Sequence, residues 1–180
     1  MGLLDGCSVL LAGESWFIHE THVKGFTDFT RGVYAEGHAP LRDVLEAAGA
    51  RFDYLPNHAA TERFPWDVAG LHEYDVVILS DLPADTLLLH PDTFTQGKRT
   101  PNRLTAIRDY VEDGGGFLMV GGYLSFSGMQ GRGGYHFTSI ADILPVELHR
   151  IDDRVETPEG AVPTPVASHP ILDGLGGSWP

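Results

Sequence analysis

Short apolar runs separated by polar, glycine-rich spacers dominate the chain, and their lengths and spacing predict alternating strands and helices. Ser8-Val9-Leu10-Leu11-Ala12 reads as a short buried strand. In the segment from Pro40 to Ala48, Leu41, Val44, Leu45 and Ala48 share one helical face, with the proline suited to the first turn and Gly49 closing the last. Arg51 to Leu55 reads as a second strand, and Tyr74 to Ser80, carrying Val76-Val77-Ile78-Leu79, as a third. The next helix runs from Asn102 to Asp113 with Leu104, Ile107, Arg108 and Val111 on one face. The glycines at 114 to 116 end it and lead into a fourth strand, Phe117-Leu118-Met119-Val120. Strands without alternating polarity are buried on both faces, so the pattern predicts an α/β fold with a mostly parallel central sheet covered by helices on each side.

Ligands of open parallel sheets bind beyond the carboxyl ends of the strands. Three such ends carry polar residues: Gly13-Glu14-Ser15-Trp16, Ser80-Asp81, and the turn Gly121-Gly122-Tyr123-Leu124-Ser125. Two glycines after a strand allow a sharp swing that would hold the next side chain up at the sheet edge. That side chain is Tyr123, and a phenol with a pKa near 10 is a poor nucleophile at neutral pH. If the first and fourth strands lie near the centre, Glu14 and Tyr123 face a common crevice. There the carboxylate would act as base, and the backbone N–H groups of Tyr123 and Leu124 would receive developing negative charge. The alternative reading has Glu14 capping the following segment and Tyr123 packing its ring. Glu14, Tyr123 and Ser125 are the catalytic candidates. Gly13, Ser15, Trp16, Asp81, Gly122, Leu124, Arg132 and His136 are the ligand-binding candidates.

Composition narrows the classes. At 180 residues with 42% hydrophobic and 21% charged content, the chain has room for one domain, residues 1–180, with a real core. With 25 acidic against 12 basic residues, the formal charge of −13 repels a phosphate backbone, which argues against nucleic acid as a partner. Lys98, Arg99 and Arg103 cluster in sequence, as a small basic patch or, in the reading favoured here, a solvated loop. No apolar run approaches the roughly 18 residues of a membrane span, and the start lacks a signal-peptide pattern, so a cytoplasmic protein without a membrane partner is expected. Cys7 is the single cysteine, which fits a reducing compartment and reads as a small buried core residue.

Two segments resist assignment to the sheet or its helices. Trp16 to Ala39 is aromatic and polar with little helical periodicity, and a long structureless loop of this kind reads as a lid over the crevice. Gly128-Met129-Gln130-Gly131-Arg132-Gly133-Gly134-Tyr135 reads as a flexible loop. It lacks the lysine-serine or lysine-threonine pair of a phosphate cradle, so no nucleotide or other cofactor is implied. Either Arg132, Tyr135 and His136 close over a ligand or the loop simply joins two elements. His19-Glu20-Thr21-His22, with His38, His58 and His136, has residue types that bind metal, but scattered surface histidines are the favoured reading and no metal is assigned. The proline-rich stretch after Pro145 reads as irregular surface chain.

The series Leu11-Ala12-Gly13-Glu14-Ser15, Tyr74 to Asp81, and Gly114 to Phe126, followed by Ile143-Leu144-Pro145-Val146 and His169-Pro170-Ile171-Leu172-Asp173-Gly174-Leu175, resembles the glutamine amidotransferase family of uncharacterised members. That family lies in the class I glutamine amidotransferase-like superfamily, with the trehalose-utilisation ThuA-like proteins and the DJ-1 group. The resemblance spans nearly the whole chain and implies a flavodoxin-like three-layer sandwich. Amidotransferases of class I use a cysteine in the elbow with a distant histidine and glutamate. The matching position here is Tyr123 and Cys7 lies elsewhere, so the resemblance does not imply glutamine hydrolysis by that route. Glu14 matches the acid that follows the first strand in the DJ-1 group. The ThuA-like kinship suggests a hydrolase or lyase acting on a small polar or sugar-like molecule, the other possibility being a ligand-binding or assembly module without catalysis. Family members continue with further strands, so the end at Trp179-Pro180 is expected to leave an open edge or apolar face covered by self-association into a homo-oligomer.

Overall fold

The computed structural model describes residues 2–174. Along the chain run β1 (Ser8–Gly13), β2 (Ser15–Lys24), β3 (Thr27–Glu36), α1 (Ala39–Ala47), β4 (Arg51–Leu55), α2 (Asn57–Arg63), α3 (Val68–Leu71), β5 (Val76–Ser80), α4 (Ala84–Leu88), α5 (Pro91–Gln96), α6 (Arg103–Glu112) and β6 (Gly116–Val120). The four strands expected from sequence form one parallel sheet in the order β4-β1-β5-β6. β1 is central, whereas β6 is the outer strand among the described residues, with β5 between them. The sheet and its helices give the mixed α/β, flavodoxin-like arrangement of the class I amidotransferase-like fold.

One face of the sheet is thickly covered. Leu10, Ala12, Val77, Leu79 and Met119 point into a core completed by Phe64, Leu71, Leu82, Leu104, Ile107 and Tyr110. Each large side chain buried there contributes about 1.5–3 kcal/mol. α6 is started by Asn102, whose Oδ1 accepts from the N–H groups of Leu104 (3.0 Å) and Thr105 (3.2 Å). Its buried face is Leu104, Ile107 and Tyr110, while Arg108 stays at the rim beside Asp109 and Glu112. Arg103 is fully buried rather than part of a basic patch or a solvated loop. Its guanidinium donates to the carbonyls of Leu87, Ala60, Thr61 and Thr86 and stacks on Trp66. Burial without a counter-ion lowers its pKa to about 10.

The other face is covered unevenly. Val9, Leu11 and Ile78 pack with Leu45, Phe52 and the half-buried Cys7, but α1 buries no residue fully. Register places Leu118 beside Ile78 on this face, yet Leu118 is 49% and Val120 37% exposed. Helices therefore do not cover both faces equally, because α1 lies over β4 and β1 and leaves β6 bare.

The segment expected as a structureless lid is a hairpin. β2 and β3 pair antiparallel from Ser15↔Glu36 to Lys24↔Thr27, with Gly25 at φ 63° in the turn. His19 and His22 sit three apart on a strand, so they face opposite sides, which dissolves the suggested pair; His22 stacks on Phe29 instead. Among the described residues no group of three or more His, Cys, Asp or Glu converges as a metal would require. Among the described residues no helix is long and apolar enough to cross a membrane. From residue 146 to 174 the chain is irregular apart from one short turn of helix at Pro170–Leu172. Leu175 and Trp179-Pro180 fall outside the described residues.

Candidate active site

Three strand ends build a crevice of about 850 Å³, within the usual span for small-molecule sites. β1 delivers Glu14, β5 delivers Asp81, and β6 leads into the Gly121-Gly122-Tyr123-Leu124 turn. Glu14 and Asp81 both adopt the left-handed backbone, at φ 48° and 47°. Such non-glycine conformations cost about 1–3 kcal/mol and persist only where neighbours impose them. At Glu14 the neighbours are explicit. Its N–H donates to the Ser80 carbonyl (2.8 Å), while its own carbonyl accepts from Gly37 N (2.9 Å) and the Tyr54 hydroxyl (3.2 Å). Burial raises the Tyr54 pKa, which keeps that phenol protonated as a donor. The Glu14 side chain is held by the Ser80 hydroxyl, which donates to Oε2. Gly13, at φ 113°, has no room for a Cβ against the Ser80 carbonyl, so it serves to position Glu14.

Asp81 clamps the double-glycine turn. Its Oδ1 accepts from the N–H of Leu124 (2.8 Å), and its own N–H donates to the Ser125 hydroxyl (3.0 Å). A Cβ at Gly122 would come within 2.8 Å of Asp81 Oδ1, which is why the turn tolerates so little bulk there. The Leu124 N–H is thus already spent and does not face developing charge as the sequence suggested. Among the described residues, the N–H groups of Gly122 and Tyr123 donate to no acceptor. Tyr123 projects into the crevice and is 63% exposed.

Of the residues singled out from sequence, Glu14, Trp16, Asp81, Gly122, Tyr123, Leu124 and Arg132 line this crevice together. The others do not. Ser125 is 2% exposed, with its hydroxyl turned inward onto Asp81, so it supports the turn from beneath. Ser15 is buried and bonded to Asn57 through both its hydroxyl and its carbonyl, as the first residue of a hairpin that must be anchored to the body. His136 lines a separate depression with Phe137, Leu144 and Pro145, and Tyr135 is fully buried with its hydroxyl donating to Leu82 O at 2.7 Å. Neither closes over the crevice, because the short helical turns after Gly134 carry both away from it.

Reasoning from sequence missed Met129, Arg154, Val155 and Glu156. The signal of the last three was hidden in the irregular tail, where Asp152-Asp153-Arg154 follows no period, and Met129 lay in the glycine-rich loop. Asp153 accepts from the N–H groups of Ser127 (2.8 Å) and Gly128 (2.9 Å), and Asp152 from Gln130 (3.0 Å). The Arg154 guanidinium at 2.7 Å, with the N–H groups of Gln130 and Arg154, holds the Asp152 carboxyl well below the usual carboxylate range. The glycine-rich loop is therefore fastened to the tail, and its glycines serve a fixed shape.

A family model described as "Putative glutamine amidotransferase" matches residues 8–180. The chain belongs to this family. Among solved structures it is similar to the cytoplasmic protein STM3548 of Salmonella typhimurium, at 43% identity and TM-score 0.89 over 94% of this chain and 70% of that one. It is also similar to the cytoplasmic protein STM1381 of Salmonella typhimurium LT2, at 40% identity and TM-score 0.90 over 96% of this chain and 71% of that one. No curated protein matches the chain.

Proposed function

We propose that the crevice takes a small hydroxyl-bearing, sugar-like molecule and that Glu14 acts on it as a general base in a hydrolase or lyase reaction. The observation that carries this reading is the convergence of Glu14 and Tyr123 on one crevice with Asp81 between them. A carboxylate held by Ser80 is poised to accept a proton from a substrate hydroxyl, and the rings of Trp16 and Tyr123 offer flat apolar faces to a sugar-sized body. Glutamine hydrolysis through a cysteine elbow is disfavoured. Tyr123 stands at the turn, and Cys7 precedes β1 at the opposite end of the strand, roughly 20 Å of extended chain from Glu14. Residues 1–180 are read as a single amidotransferase-like domain, and the cytoplasmic character of both Salmonella relatives supports the same location here.

The test is a turnover screen over neutral and acidic sugars with Glu14→Gln and Tyr123→Phe, each checked for fold by circular dichroism. Loss of turnover in Glu14→Gln with the fold retained is expected. Full activity in both variants would remove the catalytic assignment.

A second reading, a ligand-binding or assembly module without catalysis, draws on the exposed apolar side chains of the hairpin and of β6: Phe17, Phe26, Phe29, Leu118 and Val120. Exposed apolar side chains of this kind are commonly covered by association, here into a homo-oligomer. Light scattering on the eluting protein tests the assembly half: a monomer at tens of micromolar would end the reading as an assembly module.

A further inference from the structure

The reading of the crevice as a small-molecule site leaves open which chemical class it selects, and the charges on its rim speak to that. In a chain of formal charge −13, two arginines, Arg132 and Arg154, line the same crevice. They are not equivalent. Arg154 is held by Asp152 at 2.7 Å and approached by Glu156 at 3.7 Å, so its charge is already matched. Among the described residues Arg132 has no acidic partner within ion-pair distance and no hydrogen-bond acceptor for its guanidinium.

The backbone that carries Arg132 is fixed. Its N–H donates to Met129 O (3.1 Å), the following Gly133 N–H donates to Ser127 O (2.8 Å), and Asp153 clasps the N–H groups of Ser127 and Gly128. An unmatched guanidinium on a fastened loop is a ready donor to a planar anion, and its planar fork loses less freedom per bond formed than a flexible ammonium would. The unused N–H groups of Gly122 and Tyr123 lie along the same crevice and add two neutral donors.

The same crevice carries the contrary chemistry as well. Glu14 and Asp81 line it without a cationic partner among the described residues, and they would repel a simple anion that offered nothing in return. A molecule satisfies both sets of groups only if it carries hydroxyl donors for the carboxylates and an anionic group for the arginine. Its body must also have an apolar face to lie on Trp16 and Tyr123. We propose that the crevice selects a hydroxy acid of sugar size, with its carboxylate on Arg132 and its hydroxyls toward Glu14.

This proposal rests on the preceding reading, and matched ligand pairs separate the two. Titration calorimetry would use D-glucuronate against D-glucose and D-gluconate against D-glucitol, with inorganic phosphate as a simple anion, on the whole chain, on Arg132→Gln and on Glu14→Gln. Charge-assisted hydrogen bonds are the strong ones, so one of the two acids is expected to bind at least about tenfold tighter than its neutral partner. Arg132→Gln should abolish that preference, and phosphate should fail to bind. If neutral sugars bind as well as the acids and binding needs Glu14, the crevice reading stands and this proposal falls. If phosphate competes as well as the acids, the site is a plain anion site and the proposal also falls. If no acid and no neutral sugar binds, both readings are overturned.

Discussion

The two sheets among the described residues are built from different residues and live in opposite environments. β1 is six residues long, pairs on both sides and is buried along almost its whole length. β2 and β3 are ten residues each, pair only with one another, and leave nearly every side chain open to solvent. A two-stranded hairpin in water is marginal by itself, so its order comes from its root: the Ser15 bonds to Asn57, and the stacking of Phe17 and Tyr34 with His58. The body holds its strands by burial and the arm holds its strands by cross-strand pairs. Glu14 is the single residue between them, at φ 48°, and Trp16, two residues into the arm, lines the crevice. The candidate catalytic acid is thus the joint between a rigid region and a lightly supported one.

That contrast breaks or sharpens under mutation. The largest effect is expected in the body: Leu10→Ala should cost about 2–5 kcal/mol in urea unfolding, whereas Ile18→Ala on the arm should cost well under that. Equal losses at the two positions would mean the arm is packed against something in solution. Next comes the joint. Gly13→Ala puts a Cβ against the Ser80 carbonyl on a left-handed backbone, and about 1–3 kcal/mol of destabilisation should appear together with loss of ligand binding. Retained binding would detach the strand end from the site.

Acid response should then distinguish the regions. The N–H of Ser8 (2.7 Å), with the Ser8 hydroxyl (2.8 Å), holds the Asp75 carboxyl below its ordinary value. Because the folded pKa is depressed, the stabilisation is present above the ordinary carboxylate range near 4 and is lost as pH falls through the folded value. Asp75→Asn should lower Tm at pH 7 and flatten the acid limb of Tm against pH; an unchanged limb would refute the assignment. The smallest effect is expected on the arm, where Arg31→Ala removes the exposed pair with Glu20 and should change stability by less than about 0.5 kcal/mol at physiological salt.

Much of the body was legible because three of its four strands carry unbroken apolar runs and its two longest helices show a clear face. The arm was not. Trp16-Phe17-Ile18 is apolar without alternation and the rest of the segment is mixed, since neither face of the hairpin is buried and neither needs to be apolar. The helices α2 to α5, of four to seven residues, are too short to display a period. At the site, the rule that strand ends gather ligands sufficed to bring Glu14, Trp16, Asp81 and Tyr123 to one crevice. It was silent on direction, and so Ser125, Ser15 and His136 were read as ligand-facing when they turn into or away from the body.

What the chain's order of residues determined alone is the buried parallel sheet and the end of it at which polar groups collect, because burial on two faces demands continuous apolar strands and a strand end must turn. Which of those polar groups remain free was decided by tertiary contact. Asp81 spends the Leu124 amide, Asp152 and Glu156 match Arg154, and Arg132 is left over. Availability for a ligand is a property of the partners a group does not find, and those partners come from residues far apart along the chain.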